Sequence, residues 1–315
     1  MTLIPPACFG KMPLFADFVR HGPPAPELGT LDQWLQDGIF GSRQKLGAQW
    51  EASFEAIPPS RFFYINRSAQ RVLGGVVTSS RDTAGRRFPF LIYAALDTRI
   101  LKGETFLLPV LLGGFMDRAA ETARMDVQGM ELKAYLARVE GLAFEADPEG
   151  ARRRYQEFLA KETNRTFWTA VLGPQMDPAT VAAKYGLLQN VVETVGAGAI
   201  PRYALRVPVG MGDFGLAFWL DLCVRVERRL GPPALAAWDA GRPGAGAGAT
   251  LVFDELQSKY FQPVFWPERP HPQLFPLMPA GAIPGPRLEE ARKRFGAALQ
   301  DPALPLGQVL QRLAR

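Results

Sequence analysis

Cysteine and histidine are scarce in this 315-residue chain, which holds two of each: Cys8, Cys223, His21 and His271. Two thiols are too few for a disulfide framework or a thiolate metal site in a protein of this length, and they fit a reducing compartment. Each histidine lies in a proline-flanked stretch with no second histidine, cysteine pair or acidic ligand at zinc spacing, so no metal is expected. Nucleophile signatures are missing too. There is no G-x-S-x-G elbow, and spacing alone picks out no Cys/His/Asn arrangement. Long apolar runs are also absent. The longest uncharged apolar stretch, Thr105 to Met116, contains Pro109 and is well short of the roughly 20 residues that cross a bilayer. The N-terminus, Met1-Thr2-Leu3-Ile4-Pro5-Pro6, has neither the basic residues nor the apolar core of a secretory signal. These absences imply a cytoplasmic protein without direct membrane insertion. The charge surplus, 36 − 31 = +5, is small for this length, and no nucleic-acid partner is expected from it.

What is present is a large hydrophobic fraction, 47%, enough for a substantial core. Thr30-Leu31-Asp32-Gln33 has the spacing of a capping box and predicts a short helix to about Gly38. Leu46, Trp50, Phe54 and Ile57 recur on one face of a second helix that Pro58-Pro59 must end. Residues 61–65, 72–78 and 88–96 read as strands, rich in aromatic and β-branched residues. Two helices are expected over 106–139, with Pro109 tolerable in a first turn. Helices are expected over 151–161, 178–195, 214–230 and 287–299, and a last amphipathic turn or two near 306–313. Residues 203–209 and 251–253 read as strands, 241–248 as a Gly/Ala loop, and 164–173 fits either helix or strand. The expected fold class is mixed α/β: a central, largely antiparallel sheet flanked by helices, with a C-terminal α/β lobe packed against it. The expected division is residues 1–140 and residues 141–315.

Three features invite chemistry. Gly210-Met211-Gly212-Asp213-Phe214-Gly215 spells G-x-G-x-x-G between a predicted strand and helix, with Asp239 placed to hold a ribose hydroxyl. A nucleotide- or dinucleotide-binding enzyme is therefore the alternative function. Against it, the Asp213 carboxylate would face the pyrophosphate, and Gly231-Pro232-Pro233 leaves little strand before Asp239. The plainer expectation is that Asp213 caps an ordinary helix. Second, Arg81, Arg86 and Arg87 put three cations in one loop between strands. That loop either clamps a partner's anion or is held in shape by pairing with Asp82. Third, Lys11 would be a reactive amine only if buried; a solvated or salt-bridged lysine is the default. Trp34 and Trp50 are expected as core anchors.

Three stretches, Gly10-Lys11-Met12-Pro13 with Asp17-Phe18-Val19, then Asp32-Gln33-Trp34-Leu35, then Asp82-Thr83-Ala84-Gly85-Arg86-Arg87-Phe88-Pro89, together resemble the N-terminal signature of the TagF (ImpM) family of type VI secretion-associated proteins. The close similarity covers about residues 8–98. Phe218-Trp219-Leu220-Asp221 and Trp238 resemble its looser C-terminal part. Ala16 stands where the family usually has glycine, so a turn using positive φ would be changed or strained here. Leu31 replaces a frequent Trp, and Ser79-Ser80 a Pro-Ser. The resemblance implies a cytoplasmic, non-enzymatic accessory protein, without cofactor, that represses type VI secretion after translation by binding a forkhead-associated scaffold protein. The candidate partner-binding residues are Lys11, Asp17, Phe18, Arg81, Asp82, Arg86, Arg87 and Phe88, with Phe88 or Phe90 packing beneath the arginines. Gly10, Pro13, Trp34, Gly85 and Pro89 are the structural members of the motif.

Overall fold

The computed structural model describes residues 2–175, 177–227, 229–242 and 246–313. The chain starts with β1 (Thr2–Ile4), β2 (Pro6–Gly10) and the short β3 (Val19–His21). It then forms a 20-residue helix, α1 (Glu27–Leu46), and α2 (Trp50–Glu55). An antiparallel meander follows: β4 (Ser60–Asn66), β5 (Arg71–Thr78) and β6 (Phe90–Asp97). Next come α3 (Leu108–Arg124), α4 (Leu132–Glu140) and β7 (Phe144–Ala146). Three further helices follow, α5 (Pro148–Lys161), α6 (Asn164–Leu172) and α7 (Pro178–Val195). The C-terminal part adds β8 (Ala204–Pro208), α8 (Gly212–Val226), β9 (Leu235–Arg242) and β10 (Gly246–Val252). It ends with α9 (Phe261–Phe265), β11 (Leu274–Pro276), α10 (Gly285–Leu299) and α11 (Leu306–Leu313).

Nine strands form one sheet in the order β11-β8-β10-β9-β4-β5-β6-β2-β3, and every pairing is antiparallel except β11 with β8. The two halves of the chain join at its centre, where Arg61 to Tyr64 of β4 lie opposite Trp238 to Leu235 of β9. β1 pairs separately with β7. Strand periodicity splits the core in two. Phe62 and Tyr64, Leu73 and Val77, and Leu91 and Tyr93 face α1, α2 and α9. Their neighbours Phe63 and Ile65, Val72 and Val76, and Phe90 and Ile92 face α3 and the C-terminal helices. Burial on both faces is why these strands read as continuous apolar runs rather than as alternating ones.

Several expectations need correction. α1 begins at Glu27 after Pro26, with no side-chain cap, and runs to Leu46. Thr30 therefore lies inside the helix, and the Gln33 amide donates to Asp37 one turn on. The expected Gly/Ala loop at 241–248 is largely strand: Gly241 and Arg242 end β9, and Gly246 to Gly248 begin β10. Pairing to β8 and β9 overrides the weak strand propensity of glycine and alanine there; residues 243–245 lie outside the described residues. β9 also spans eight residues, more than Gly231-Pro232-Pro233 suggested. Residues 164–173, open in the sequence, form α6, with a capping box made by Thr163 and Thr166. Pro109 lies in the first turn of α3, as required.

Trp34 and Trp50 are both buried. Trp34 packs on Phe261 and Phe265 of α9 and donates its indole N–H to the Gln257 carbonyl at 2.9 Å. The contact of α1 with α9 leaves no room at Gly38, where an added Cβ would fall 2.2 Å from the Phe261 ring. Gly38→Ala is expected to cost about 1–3 kcal/mol by overpacking. Chemical denaturation checks this, and an unchanged midpoint would contradict the packing.

Candidate functional site

The chain leaves β2 at Gly10, whose φ is +129°. A Cβ there would lie 2.0 Å from the Pro89 carbonyl oxygen, so glycine is what lets the Gly10–Val19 turn lie directly against the end of the Asp82–Pro89 loop. Between the two segments is an ion cluster. Lys11 is only 6% exposed and Asp82 2%, and the Lys11 Nζ donates to Asp82 Oδ2 at 2.5 Å. Arg86 Nε donates to the same oxygen at 2.8 Å. The other carboxylate oxygen accepts the backbone N–H groups of Ala84 at 3.0 Å and Arg86 at 2.8 Å. Further backbone bonds run from Asp82 N–H to Arg86 O, Gly85 N–H to Asp82 O, Thr83 N–H to Phe15 O and Phe88 N–H to Ser80 O. Gly85, at φ +80°, provides the left-handed residue that this tight return needs. Arg86 also donates to the Ala16 carbonyl, closing the turn onto the loop.

Burial pushes the Asp82 carboxyl up, but the hydrogen bonds from Lys11 and Arg86 outweigh it and hold the acid well below the ordinary carboxylate range. Lys11 is thus salt-bridged but not solvated, and its ammonium is committed to Asp82. Ala16 does not sit at positive φ, so the expected strain of that turn is absent.

The three arginines have different surroundings. Arg87 is mostly covered, its side chain 20% exposed, and pairs with Glu51 at 2.9 Å and Glu55 at 2.8 Å, both on α2. Arg81 and Arg86 remain 64% and 59% exposed. Arg81 has only a 4.0 Å contact with Glu55, while a backbone bridge between Arg81 and Arg87 pinches the loop's neck. Sequence reasoning had offered Asp82 as the loop's counter-ion and missed Glu51 and Glu55. Their i,i+4 spacing on the helix before β4 was the available signal.

An aromatic cluster sits beside the ions. Phe18 lies 4.9 Å from Phe88 and 5.6 Å from Phe9, and the Lys11 Nζ is 4.7 Å from the Phe18 ring centre. Phe88 is buried beneath Phe18, whereas Phe90 points to the opposite face of the sheet, against Tyr135. Phe18 and Phe15 are exposed large hydrophobic residues, and Phe15 was not among the sequence candidates. Asp17 is exposed, its carboxylate accepting the Phe18 N–H at 2.8 Å. Lys11, Asp82 and Phe88 thus support a surface made by Phe15, Asp17, Phe18, Arg81 and Arg86. Pro13 lines a neighbouring cavity of about 370 Å³ with Met12, Arg81 and Tyr135.

The glycine turn at 210–215 is arranged differently from a dinucleotide site. β8 and β9 are separated in the sheet by the antiparallel β10, so β8-α8-β9 is not a pair of adjacent parallel strands with a crossover helix. Asp213 makes no helix cap. Its carboxylate takes two hydrogen bonds from one Arg61 nitrogen, at 2.7 and 2.6 Å, and one from the Trp238 indole at 3.1 Å. Asp213 was read as a local cap because the partners that claim it lie on distant strands. Among the described residues, no three His, Cys, Asp or Glu side chains gather as a metal site. His21 contacts Glu140 at 2.8 Å, and His271 accepts the Gln273 N–H.

Residues 7–142 match the TagF N-terminal domain, described as type VI secretion system-associated. This part of the chain is similar to the TagF N-terminal domain. The match spans both the Gly10–Val19 turn and the Asp82–Pro89 loop, so the ion cluster and the exposed phenylalanines lie within the matched residues. Beyond it the likeness is one of fold. The crystal structure of PA0076 from Pseudomonas aeruginosa PAO1 is 18% identical and aligns with a TM-score of 0.53, covering 87% of this chain and all of that one. No curated protein matches. Among the described residues, no helix is long and apolar enough to cross a membrane.

The Asp82 arrangement has a pH signature. A depressed acid contributes stability that is fully present above the unfolded value of about 3.9, declines as the pH falls below it, and is gone once the pH passes the folded value. Asp82→Asn is therefore expected to melt lower than wild type at pH 7, with the gap narrowing only below about pH 4. Thermal melts between pH 3 and 7 check this; a gap independent of pH would contradict an ionised Asp82.

Proposed function

We propose that this chain is a non-enzymatic, cytoplasmic regulator that represses type VI secretion after translation by binding a forkhead-associated scaffold protein. The TagF domain supports the secretion context. The observation that carries the binding mode is a preformed surface in which two exposed phenylalanines and two exposed arginines stand on a buried ion cluster. Aromatic and arginine side chains on a rigid support are the usual anchors of protein interfaces, because little conformational freedom remains to be lost on binding. Arg86 is already oriented by Asp82, and Arg81, exposed and held only by a 4.0 Å contact with Glu55, can meet a partner carboxylate. Arg87, held by two glutamates, serves to fix the loop. In this reading residues 1–140 carry the docking surface, and residues 141–315 form a lobe that extends and buttresses the sheet.

The test is a quantitative pull-down with the forkhead-associated protein of the same secretion system. The double variant Phe15→Ser, Arg81→Glu changes two exposed side chains and is expected to keep the wild-type melting temperature while binding about tenfold more weakly or worse. Unchanged binding by the folded variant would remove this surface from the interface. A deletion strain is expected to secrete more than its parent, and equal secretion would contradict repression.

A further inference from the structure

A second site lies where the chain passes from β3 into α1. Gly22, at φ +97°, turns so tightly over β2 that a Cβ would fall 2.7 Å from the Ala7 backbone and the Pro6 carbonyl. Beyond it, Pro23-Pro24-Ala25-Pro26 forms a lip with little freedom to move. Under that lip is a cavity of about 530 Å³, of a size that holds a small organic ligand, with Arg20 and His21 at the rim and Tyr93 lining it. Leu28 and Gly29, in the first turn of α1, complete the wall.

Register explains why the polar groups converge. Phe9 lies opposite Arg20 on β3 and Leu91 on β6, and Ala7 lies opposite Tyr93. Directly opposed residues share a sheet face, so Arg20 and Tyr93 project to the same side as α1. Among the described residues, Arg20 has no carboxylate partner. Its guanidinium is held 5.1 Å over the Phe9 ring, which orients it without neutralising it. Tyr93 is only 2% exposed, and its hydroxyl, which makes no hydrogen bond among the described residues, is open to the cavity. A hydroxyl facing a cavity can donate to a group held there. Burial, aided by Cys8 and Glu27 and opposed by Arg20, pushes Tyr93 up to about 12, so the hydroxyl remains a donor at neutral pH. His21 is already engaged by Glu140.

We propose that this cavity binds a carboxylate on an apolar body, with Arg20 and the Tyr93 hydroxyl holding the two oxygens and the proline lip and Leu28 covering the body. A singly charged head is favoured over a phosphate dianion. The buried Glu27 carboxylate sits in the first turn of α1, with Arg71 3.6 Å away as its partner, and a second negative charge would be repelled by it. The site is independent of the docking surface proposed above, so each can fail alone.

The test titrates the full-length, isotope-labelled chain at constant ionic strength with benzoate, neutral benzamide and N-acetylphenylalanine, following the amide resonances of Gly22, Leu28 and Gly29. A carboxylate probe is expected to give saturable shifts and benzamide none. Arg20→Gln is expected to weaken binding on the order of tenfold, and Tyr93→Phe by several-fold with the fold retained. Saturation by N-acetylphenylalanine alone assigns the site to a chain terminus, whereas saturation by benzoate as well admits free organic acids. No saturable shift from either acid, equal shifts from benzamide, or undiminished affinity in Arg20→Gln would overturn the proposal.

Discussion

The buried contact between Lys11 and Asp82 is the constraint on which the surface of this protein depends. Two opposite charges taken out of water are stable only when their remaining hydrogen-bonding capacity is met. Asp82 meets this with two side chains and two backbone N–H groups. Because these donors come from both the Gly10–Val19 turn and the Asp82–Pro89 loop, one carboxylate fixes two segments about 70 residues apart in sequence. Removing either partner would leave a buried charge partly uncompensated, so the geometry is enforced by the cost of breaking it.

This local order is connected to the whole sheet. The loop joins β5 to β6, whose pairing extends over eight residues, and its neck is tied through Arg87 to α2. The sheet is buried on both faces and runs from the N-terminal strands into the C-terminal ones through β4 and β9. Arg61 on β4 reinforces that junction by reaching both Asp117 on α3 and Asp213 on α8. The exposed phenylalanines and arginines thus stand on segments tied to this sheet and to α2.

Much of this was legible in one dimension because strand and helix periods are strong where both faces or one stripe are buried. β4, β5, β6, α5, α7 and α10 fall close to where their patterns place them. What was not legible depended on distant partners. Lys11, in Gly-Lys-Met-Pro, carries no periodic signal, and its burial follows from Asp82, which is contributed from far along the chain. Thr30 and Gln33 have capping spacing, but Pro26 starts the helix a turn earlier. Gly246 to Gly248 became strand only because two neighbouring strands hydrogen-bond them. Exposed Phe15 and buried Phe88 are indistinguishable as letters, and packing alone separates support from surface.

Amide hydrogen exchange in wild type and Lys11→Met tests the central role of the ion pair most directly. Ala84 and Arg86 donate their N–H groups to Asp82. If Lys11 holds that carboxylate in place, these two amides are protected in wild type and exchange several-fold faster in the variant, while β5 and β6 exchange as before. Equal protection of Ala84 and Arg86 in both proteins would show that the loop keeps its shape without the buried lysine, and would contradict the account.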